Sequence, residues 1–422
     1  MDLQKEFFAC LALKHTPRLG HKTWKTLLEY YPSAYEAVKN AGEWPLLDLE
    51  IRRVKELAKS CKAELWREKA EKEFKDTHQS GMDVVTWFDP RFPTALKCID
   101  DPPCLLYVSG DMTLLKNPGV AVVGARKCTA LGLESAGRIS TQLSNIGVTV
   151  ISGLALGIDC QAHLGGLRGI GGSIAVLGCG LDINYPVDNF DVRRAMEAQG
   201  LIVTEYGPGI QPRGEYFPFR NRIISALSLG VLVAEAAHRS GSLITARLAM
   251  EQGREVFALP GPIGQPTFTG CHRLIKQGAA LVENAEDIVH ILRYDFAREL
   301  EGIPDPEPVE VDEEIDTGES NLKGVQKSKA VSKKKILPKA TPEEMPRRPR
   351  KRPSAVERED ITLNDEERAV MVVLDQTDKM HIDALGRELE WESPKVSKVL
   401  LILEIRGAVQ QLPGMWYLAK ES

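Results

Sequence analysis

The sequence predicts an α/β protein built on an extended Rossmann-like, doubly wound parallel sheet between residues 81 and 292. Short apolar runs alternate there with helical stretches of about 10 to 15 residues, the pattern of βαβ units. The central runs are apolar throughout, as expected for strands buried on both faces of a parallel sheet. Two of the runs end in glycine turns that lead into a helix. The predicted strands are Asp83–Trp87, Leu105–Val108, Val120–Val123, Val148–Ile151, Ser173–Leu177, Leu201–Thr204, Val231–Ala234, Glu255–Leu259 and Ala280–Val282.

The segment before the sheet, residues 1–80, predicts a separate helical domain. Its apolar residues recur at spacings of three and four, for example Phe7 with Leu11 and Trp24 with Leu28. A long charged amphipathic stretch follows and offers many oppositely charged pairs four residues apart.

Two further regions follow the sheet. Residues 293–360 predict a disordered linker, because nine acidic residues in 301–319 and twelve basic residues in 321–353 leave too little apolar surface to bury. Residues 361–422 regain periodicity and predict helices Asn364–Gln376, His381–Leu389 and Ser393–Arg406, then a segment, Gly407–Leu418, with strand-like ends. This element order predicts a winged helix.

Composition restricts the class of protein. The chain has 422 residues, a formal net charge of −5 and 43% hydrophobic residues, which suits a globular protein of several domains. It contains no apolar run long enough for a membrane span and no secretory signal at its start. Its eight cysteines include no Cys-x-x-Cys pair, which argues against a zinc ribbon and fits reduced thiols in a cytoplasm. We expect neither a metal site nor a cofactor.

The first glycine turn joins the strand ending at Val123 to a helix that begins near Thr129. Gly124 would let the backbone approach a ligand closely, and the helix N-terminus would attract a phosphate. Arg126 could add a bidentate contact to that phosphate. The dinucleotide fingerprint Gly-x-Gly-x-x-Gly is absent, which weakens a nicotinamide interpretation.

The second glycine turn contains Ser152 and Gly153 and again connects a strand to a helix. Its successive N–H groups could form an anion-binding nest at the same edge of the sheet as the first turn. A single turn of this kind is equally well explained by tight packing of strand against helix. Two turns together with Arg126 favour an anion site.

Two reactive-looking groups have ordinary explanations. His163 and Asp159 lie four residues apart and could be a catalytic pair, but a packed histidine capped by a carboxylate is the favoured interpretation. Cys179 could be proposed as a nucleophile, but nothing near it in sequence would lower its pKa, so we interpret it as a buried, inert thiol.

The segment 212–225 interleaves aromatic and cationic residues before a helix. Bases stack on aromatic rings while guanidinium groups neutralise phosphates, which is the combination that sequence-tolerant binding of a single strand requires. The alternative is a helix start whose Phe217 and Phe219 pack in the core. The candidate DNA contacts in this segment are Arg213, Phe217, Arg220, Asn221 and Arg222.

These motifs resemble one family, the DNA-processing protein DprA (Smf) family. The resemblance covers about residues 92–289, with every motif in the family's order. His272 stands where the family pattern has Asn, and Thr129 stands where Ser is usual. The matching segments are Val122–Arg126, Ser152–His163, Tyr185–Asn189, Phe217–Ser225, Ser240–Ala246, Gly253–Gly261 and Gly270–Ala279.

The resemblance implies a role that is not enzymatic. Members of the family bind incoming single-stranded DNA, displace or bypass single-strand-binding protein, and load the RecA recombinase during natural transformation. It also implies a Rossmann domain that forms homodimers, an N-terminal SAM-like helical domain and a C-terminal winged helix. Residues 14–40 resemble a helix-hairpin-helix as well, in which Gly20 could serve a phosphate or a packing turn equally well. Arg254 and Lys276 complete the set of candidate DNA-binding residues.

Two other functions stay open at this point. The enzymatic alternative is a nucleotide hydrolase of the lysine-decarboxylase-like Rossmann class with Glu251 as its acid, although Ser240–Thr245 replaces the Pro-Gly-Gly-x-Gly-Thr turn of that class. The third possibility is an adaptor whose sheet serves only dimerisation and RecA contact. The basic block 323–352 could tether nucleic acid or simply separate two domains, and the winged helix could contact DNA or protein.

Overall fold

The computed structural model describes residues 2–47 and 51–306, and parts of the C-terminal region. Those parts are residues 365–375, 377, 379–389, 391, 395–396, 399–400, 403, 408–412 and 416–419. The chain divides into two compact units, residues 1–317 and 318–422. Of the predicted linker 293–360, residues 307–360, which include the basic block, fall outside the described residues. The linker begins later than predicted, because a helix continues to Asp295 and Leu300 is buried in the core of the first unit.

Helices and strands of the first unit follow the predicted order. The helices are α1 (Leu3–His15), α2 (His21–Tyr30), α3 (Ala34–Lys39), α4 (Val54–Lys62), α5 (Arg67–Gln79), α6 (Thr94–Cys98), α7 (Ala130–Asn145), α8 (Ile158–Gly166), α9 (Phe190–Gln199), α10 (Tyr216–Leu227), α11 (Ser242–Glu251), α12 (Thr269–Lys276) and α13 (Ala285–Asp295). The strands are β1 (Asp83–Thr86), β2 (Leu105–Gly110), β3 (Gly119–Val123), β4 (Thr149–Ser152), β5 (Ser173–Val176), β6 (Leu201–Thr204), β7 (Gly230–Val233), β8 (Glu255–Ala258) and β9 (Ala280–Leu281).

All nine strands form one sheet in the order β1-β2-β6-β5-β4-β3-β7-β8-β9. The seven strands from β3 to β9 are parallel, which confirms the prediction, and every residue of β3 to β7 is buried. The first two strands differ from a purely parallel sheet, because β2 runs antiparallel to both β1 and β6. From β3 the chain adds β4, β5 and β6 on one side, and it then returns to add β7, β8 and β9 on the other side of β3. This reversal of strand order opens a crevice at the carboxyl ends of β3, β4 and β7.

Helices α1 to α5 share one hydrophobic core with the sheet. Leu11, Leu27 and Trp44 of the helices belong to the same buried cluster as Leu106 and Val203 of the strands. The core continues across residue 80, where the sequence predicted a domain boundary. That boundary stays a prediction.

A buried ion cluster ties the N-terminal helices to the sheet. The Glu73 carboxylate accepts hydrogen bonds from Lys14 Nζ at 2.6 Å and from the Tyr107 hydroxyl at 2.5 Å, and it contacts His15 Nε2 at 2.6 Å. Burial opposes ionisation of Glu73, yet the charge of Lys14 and the hydrogen bonds from His15, Lys14 and Tyr107 lower the pKa of this carboxyl to about 2. Lys14 and His15, in the helix-hairpin-helix-like segment, are therefore engaged within the protein.

We expect Glu73→Gln to lower the free energy of unfolding at pH 7 by about 3 kcal/mol, since the depressed pKa of Glu73 is a stabilisation of that order. The contribution is complete above the ordinary glutamate pKa of 4.5 and is lost as the pH falls toward 2. Urea unfolding between pH 7 and pH 3 measures it. Glu68→Gln, on the exposed face of the same helix, should leave the curve unchanged. Equal loss in both variants would contradict a specific role of Glu73.

The second unit matches the predicted winged helix where it is described. It contains α14 (Asp365–Asp375), α15 (Ile382–Glu388) and a three-stranded antiparallel sheet of β10 (Met380–His381), β11 (Val409–Leu412) and β12 (Trp416–Ala419), with β12 in the centre. Its core includes Leu374, Leu385, Leu400 and Tyr417. Most of the predicted third helix, Ser393–Arg406, lies outside the described residues.

No helix within the described ranges is long and apolar enough to cross a membrane. Those ranges also hold no group of three or more His, Cys, Asp or Glu side chains placed to bind a metal ion. All eight cysteines are free thiols.

Candidate nucleic-acid interface

A groove of about 490 Å³ follows the carboxyl rim of the sheet at the reversal of strand order. One wall comes from the start of α10 and the turns after β3 and β4, and the other comes from the start of α11. Its lining residues are Val123, Gly124, Arg126, Ala155, Asp159, Tyr185, Pro212, Gly214, Phe217, Pro218, Arg220, Asn221, Ile224, Ser240, Gly241, Ser242, Ile244 and Thr245. The structure therefore brings five of the predicted DNA contacts together at this rim, namely Gly124, Arg126, Phe217, Arg220 and Asn221, with Gly153 in the adjoining pocket.

Arg220 connects the wall of α10 to the ends of two strands. Its Nη1 donates to the carbonyl of Gly153 at 2.8 Å and to the carbonyl of Val176, and its Nε donates to Asn221 Oδ1 at 3.2 Å. Burial lowers the pKa of Arg220 to about 10, while the charge of Asp159 opposes this effect. Because that value lies well above neutrality, Arg220 presents a fixed positive charge at neutral pH.

Gly153 is a glycine because Arg220 lies against it. A Cβ at this position would come within 2.5 Å of both terminal nitrogens of the guanidinium. The second glycine turn thus makes room for an arginine that lines the groove, and any larger residue would displace that arginine.

Phe217 lies near two guanidinium groups. Its ring centroid is 5.8 Å from Arg126 Cζ and 6.0 Å from Arg220 Cζ, and Tyr185 packs against it at 5.4 Å. Arg126 is exposed whereas Arg220 is buried. Phe217 is half-buried at the edge of the groove, so the arrangement combines an aromatic surface with two nearby positive charges.

The first glycine turn is not the open phosphate site predicted from the sequence. A Cβ on Gly124 would lie 2.6 Å from Ile158 Cγ1, so the packing of α8 requires this glycine, which also lines the groove. The N-terminus of α7 is also occupied, because the backbone N–H of Thr129 donates to the buried carboxylate of Glu235 at 2.9 Å. The free helix N-terminus of that prediction is therefore wrong, whereas a contact of Gly124 with DNA stays a prediction.

Ser152 is not available to a ligand either, contrary to its prediction as a DNA contact. Its side chain is buried and Oγ donates to the carbonyl of Val122 at 2.6 Å, which ties β4 to β3. Ser152 is therefore a structural residue below the groove floor.

His163 is a packed histidine, as the favoured interpretation held, but its partner is not Asp159. Nε2 accepts from the Leu154 N–H at 3.2 Å, and Nδ1 donates to the hydroxyl of Ser173 at 2.8 Å, which in turn donates to Val150. Burial and the nearby charge of Arg220 lower the pKa of His163 to about 3. Asp159 instead accepts from the Gly153 N–H at 3.1 Å, and burial raises its pKa.

We expect the neutral state of His163 to make stability depend on pH. Its folded-state pKa of about 3 lies below the ordinary value of 6.5, so its contribution is present above pH 6.5 and is lost as the pH falls. The slope approaches about 1.4 kcal/mol per pH unit for this one group. Urea unfolding between pH 7 and pH 5.5 should show this slope in the parent and lose it in His163→Gln, which does not titrate. Identical slopes in the parent and in His163→Gln would contradict a contribution of His163 to the pH dependence of stability.

Cys179 is buried, and burial raises the pKa of its thiol to about 11. This confirms the interpretation of an inert thiol. It lines a smaller pocket beside the groove together with Leu177, Tyr185 and Phe217.

Arg213 and Asn221 lie on the exposed side of the wall formed by α10. Arg213 is exposed, with Cζ 5.8 Å from the ring of Tyr216, which stacks on Tyr206 at 4.5 Å. Asn221 lines the groove and orients Arg220. These placements leave both residues as candidates for contact with a ligand.

Arg222 was predicted to contact DNA, but the structure places it in the interior. It is 2% exposed, and Nη2 donates to the Glu205 carboxylate at 2.5 Å. Its guanidinium lies 4.1 Å from the centroid of Phe219, whose ring also packs on His21 of α2. Phe219 therefore packs inside the protein, as the alternative interpretation held, and Arg222 helps to connect α10 to the N-terminal helices.

Arg254 and Lys276 lie at the opposite rim of the sheet, contrary to their prediction as DNA contacts. Arg254 directly precedes β8, and its Nη2 donates to the carbonyl of Ala226 near the end of α10 at 3.3 Å. Lys276 ends α12, just before β9. Residues before a parallel strand lie at its amino end, so neither reaches a groove at the carboxyl ends.

The second wall of the groove, and the exposed Phe190 close to the second glycine turn, were not predicted from the sequence. The turn Ser240–Ser242 forms that wall, although the sequence identified it only as part of a segment that matches the family. Phe190 is an aromatic side chain that is 49% exposed, with Arg194 Cζ at 5.9 Å from its ring. It follows Asn189, whose Nδ2 donates to the carbonyls of Leu154 and Ala155 and so fixes this loop against the second turn. The sequence feature that could have pointed to Phe190 is its position directly after the Tyr185–Asn189 motif.

Comparison with known proteins identifies the family. A model of the family DNA recombination-mediator protein A matches residues 83–293, and a model of the DprA winged helix domain matches residues 352–415. DNA processing protein DprA of Streptococcus pneumoniae is 47% identical over 201 residues, 48% of this chain and 71% of that protein. Protein Smf of Escherichia coli is 49% identical over 205 residues, 48% of this chain and 54% of that protein.

A solved structure agrees with these matches. The X-ray structure of DNA processing protein A from Streptococcus pneumoniae superposes with a TM-score of 0.56 at 37% identity, covering 67% of this chain and 97% of that chain. The predicted resemblance is thereby confirmed, and the chain belongs to the DNA recombination-mediator protein A family, which includes the proteins named DprA and Smf.

Proposed function

We propose that this protein binds single-stranded DNA along the groove at the carboxyl rim and acts as a recombination mediator that loads RecA onto it. The observation that carries the proposal is the position of Phe217 near the guanidinium groups of Arg126 and Arg220. A base can stack on the ring while the flanking phosphates meet the two charges.

The aromatic lining of the site supports a single strand rather than a duplex. The groove is formed by turns and helix starts. The aromatic groups that line it, Phe217 and Tyr185, offer faces to unpaired bases. Stacking on such faces tolerates any sequence, as processing of incoming DNA requires.

The hydrolase alternative is not favoured. Glu251, its candidate acid, ends α11, whose first residue lines the groove. Six helical residues separate Glu251 from Thr245, the last residue of α11 that lines the groove, by about 9 Å, so Glu251 lies outside the groove. It is engaged with Arg247 at 3.5 Å. We therefore propose a binding protein rather than an enzyme.

The partners and setting form the outer part of the proposal. By family membership we infer RecA as the protein partner, functional interplay with single-strand-binding protein, a homodimer, a cytoplasmic location and a role in natural transformation. A RecA assay tests this part: the protein should shorten the lag of RecA assembly on oligo-dT coated with single-strand-binding protein. An unchanged lag of RecA assembly would contradict the loading of RecA and leave only the DNA-binding part of the proposal.

The test of the DNA site is fluorescence anisotropy with labelled oligo-dT at several salt concentrations. Affinity should fall steeply with salt, and Arg126→Ala should weaken binding about tenfold and reduce the salt slope by about one. Arg247→Ala is the matched control, because it removes the same charge from an exposed arginine outside the groove. Absence of binding by the parent protein would favour the adaptor, and equal effects of both variants would place the site elsewhere.

A further inference from the structure

An acidic side chain occupies the place where a fold of this class offers a helix N-terminus to phosphate. Glu235 follows β7 at the carboxyl rim and is fully buried. Its Oε2 accepts from the backbone N–H of Thr129 at 2.9 Å and from the Thr129 hydroxyl at 2.8 Å. Thr129 is the N-cap of α7. A carboxylate of the protein itself is therefore bound where an external anion would bind.

The first turn of α7 is shaped around this carboxylate. A Cβ on Gly132 would lie 2.1 Å from Glu235 Oε2, so only glycine fits at that position. The N–H of Gly132 donates to Thr129 Oγ1 at 3.1 Å, and this hydroxyl donates its own proton to Glu235. The helix start and the acid thus form one hydrogen-bonded unit.

The charge of Glu235 is balanced mainly by the helix. Within residues 2–47 and 51–306, no Lys, Arg or His nitrogen lies within 4 Å of its carboxylate, and Oε1 has no hydrogen-bond partner. The partial positive charge at the N-terminus of the 16-residue helix α7 provides the compensation. Burial, followed by the charge of Glu235, raises the pKa of the adjacent Cys128 thiol.

We propose that Glu235 is a specificity-determining residue that acts as an internal counter-anion: it fills the phosphate position of the first turn and so excludes mononucleotides. This inference rests on the proposed function. A small phosphate ligand finds the helix N-terminus already occupied by an anion. A polynucleotide does not depend on that position, because it spans the outer groove and meets Arg126, Arg220 and the aromatic faces along its length.

Two variants of the full chain test the inference. Glu235→Ala removes the charge and the side chain and leaves the Thr129 N–H free for a ligand. Glu235→Gln removes the charge but keeps the shape, so the position stays filled. Glu134→Gln, on the exposed side of α7, is the matched control for the change in net charge. Calorimetric titration with dTMP and with inorganic phosphate measures the first effect, and anisotropy with oligo-dT measures the second.

We expect Glu235→Ala to bind dTMP at least about tenfold more tightly than the parent and the control, because the helix N-terminus becomes an open anion site. Glu235→Gln should not gain dTMP binding, but its oligo-dT affinity should rise about threefold as one repulsive charge leaves the rim. A residue with a merely structural role would weaken binding or leave it unchanged.

A folded Glu235→Ala with unchanged dTMP affinity would overturn the inference. If Glu235→Ala gives no cooperative thermal transition, the test rests on Glu235→Gln alone. An oligo-dT affinity of Glu235→Gln equal to or below that of the parent then overturns the inference. Failure of the proposed function is a separate result, recognised by a parent protein that does not bind oligo-dT, whereas the dTMP titration does not depend on DNA binding.

Discussion

Arg220→Gln is expected to weaken oligo-dT binding by about 100-fold or more, the largest effect of any single change in the groove. The substitution removes a permanent charge and the side-chain donor that serves the two strand ends, at Gly153 and Val176. A charge-assisted contact with phosphate is worth about 3 kcal/mol, which corresponds to that factor. Phe217 would also lose one of its two cationic neighbours.

The same substitution should destabilise the fold, so the binding loss needs a control. Asp159 is buried, and the charge of Arg220 lowers its pKa against the effect of burial. Removing only the arginine leaves a buried acid without its compensating charge, at a cost of about 3–5 kcal/mol. The double variant Arg220→Gln, Asp159→Asn removes that imbalance, and the amide oxygen of the introduced asparagine can still accept from the Gly153 N–H.

Urea unfolding and anisotropy on the three proteins separate the two effects. We expect the double variant to recover most of the lost free energy of unfolding while its oligo-dT affinity stays about 100-fold below that of the parent. Recovery of DNA binding together with stability would mean that Arg220 acts only through folding. That result would remove Arg220 from the interface and leave Arg126 as the charge beside Phe217.

The sheet could be predicted because its strands are short, apolar and buried on both faces. Val231–Ala234 is one example: it predicts a central strand, and β7 lies in the interior of the sheet with every residue buried. The antiparallel course of β2 could not be predicted in the same way. Its apolar run resembles those of the parallel strands, and its direction depends on pairing with β6, which lies far along the chain.

The candidate site could be predicted only where a single segment carries it. Phe217, Arg220 and Asn221 lie close together in one short segment, and their types already indicate nucleic-acid binding. Arg222 has the same local character, but two residues along a helix rotate a side chain by about 200°, to the opposite face. What it meets there is Glu205, which follows a distant strand and had no role in any motif.

Two other residues were assigned to the wrong rim of the sheet, although their positions relative to the predicted strands could have shown this. Arg254 directly precedes a predicted strand and Lys276 lies four residues before another, and this alone assigns them to the amino rim. By contrast, the roles of Gly124 and Gly153 could not be distinguished by residue type. Only the structure reveals that one accommodates Ile158 and the other accommodates Arg220.

Arg222→Met should therefore change stability rather than DNA binding, which reverses the prediction made from its motif. Burial opposes ionisation of Glu205, yet the charge of Arg222 and the contact with His21 hold the pKa of this carboxyl below its ordinary value. Methionine would leave Glu205 buried without that partner, and Phe219 would lose the guanidinium at 4.1 Å. We expect the free energy of unfolding to fall by about 3–5 kcal/mol.

DNA affinity provides the decisive comparison, since a variant that is still folded should bind oligo-dT within about twofold of the parent at low temperature. Arg168→Met, which replaces an exposed arginine on the helical face of the domain, should alter neither quantity. A loss of about tenfold in the affinity of folded Arg222→Met would mean that α10 moves when its inner contact is cut. In that case the contacts that His21 of α2 and Arg222 share with Phe219 and Glu205 would control the groove, because Arg220 lies on the same helix as Arg222.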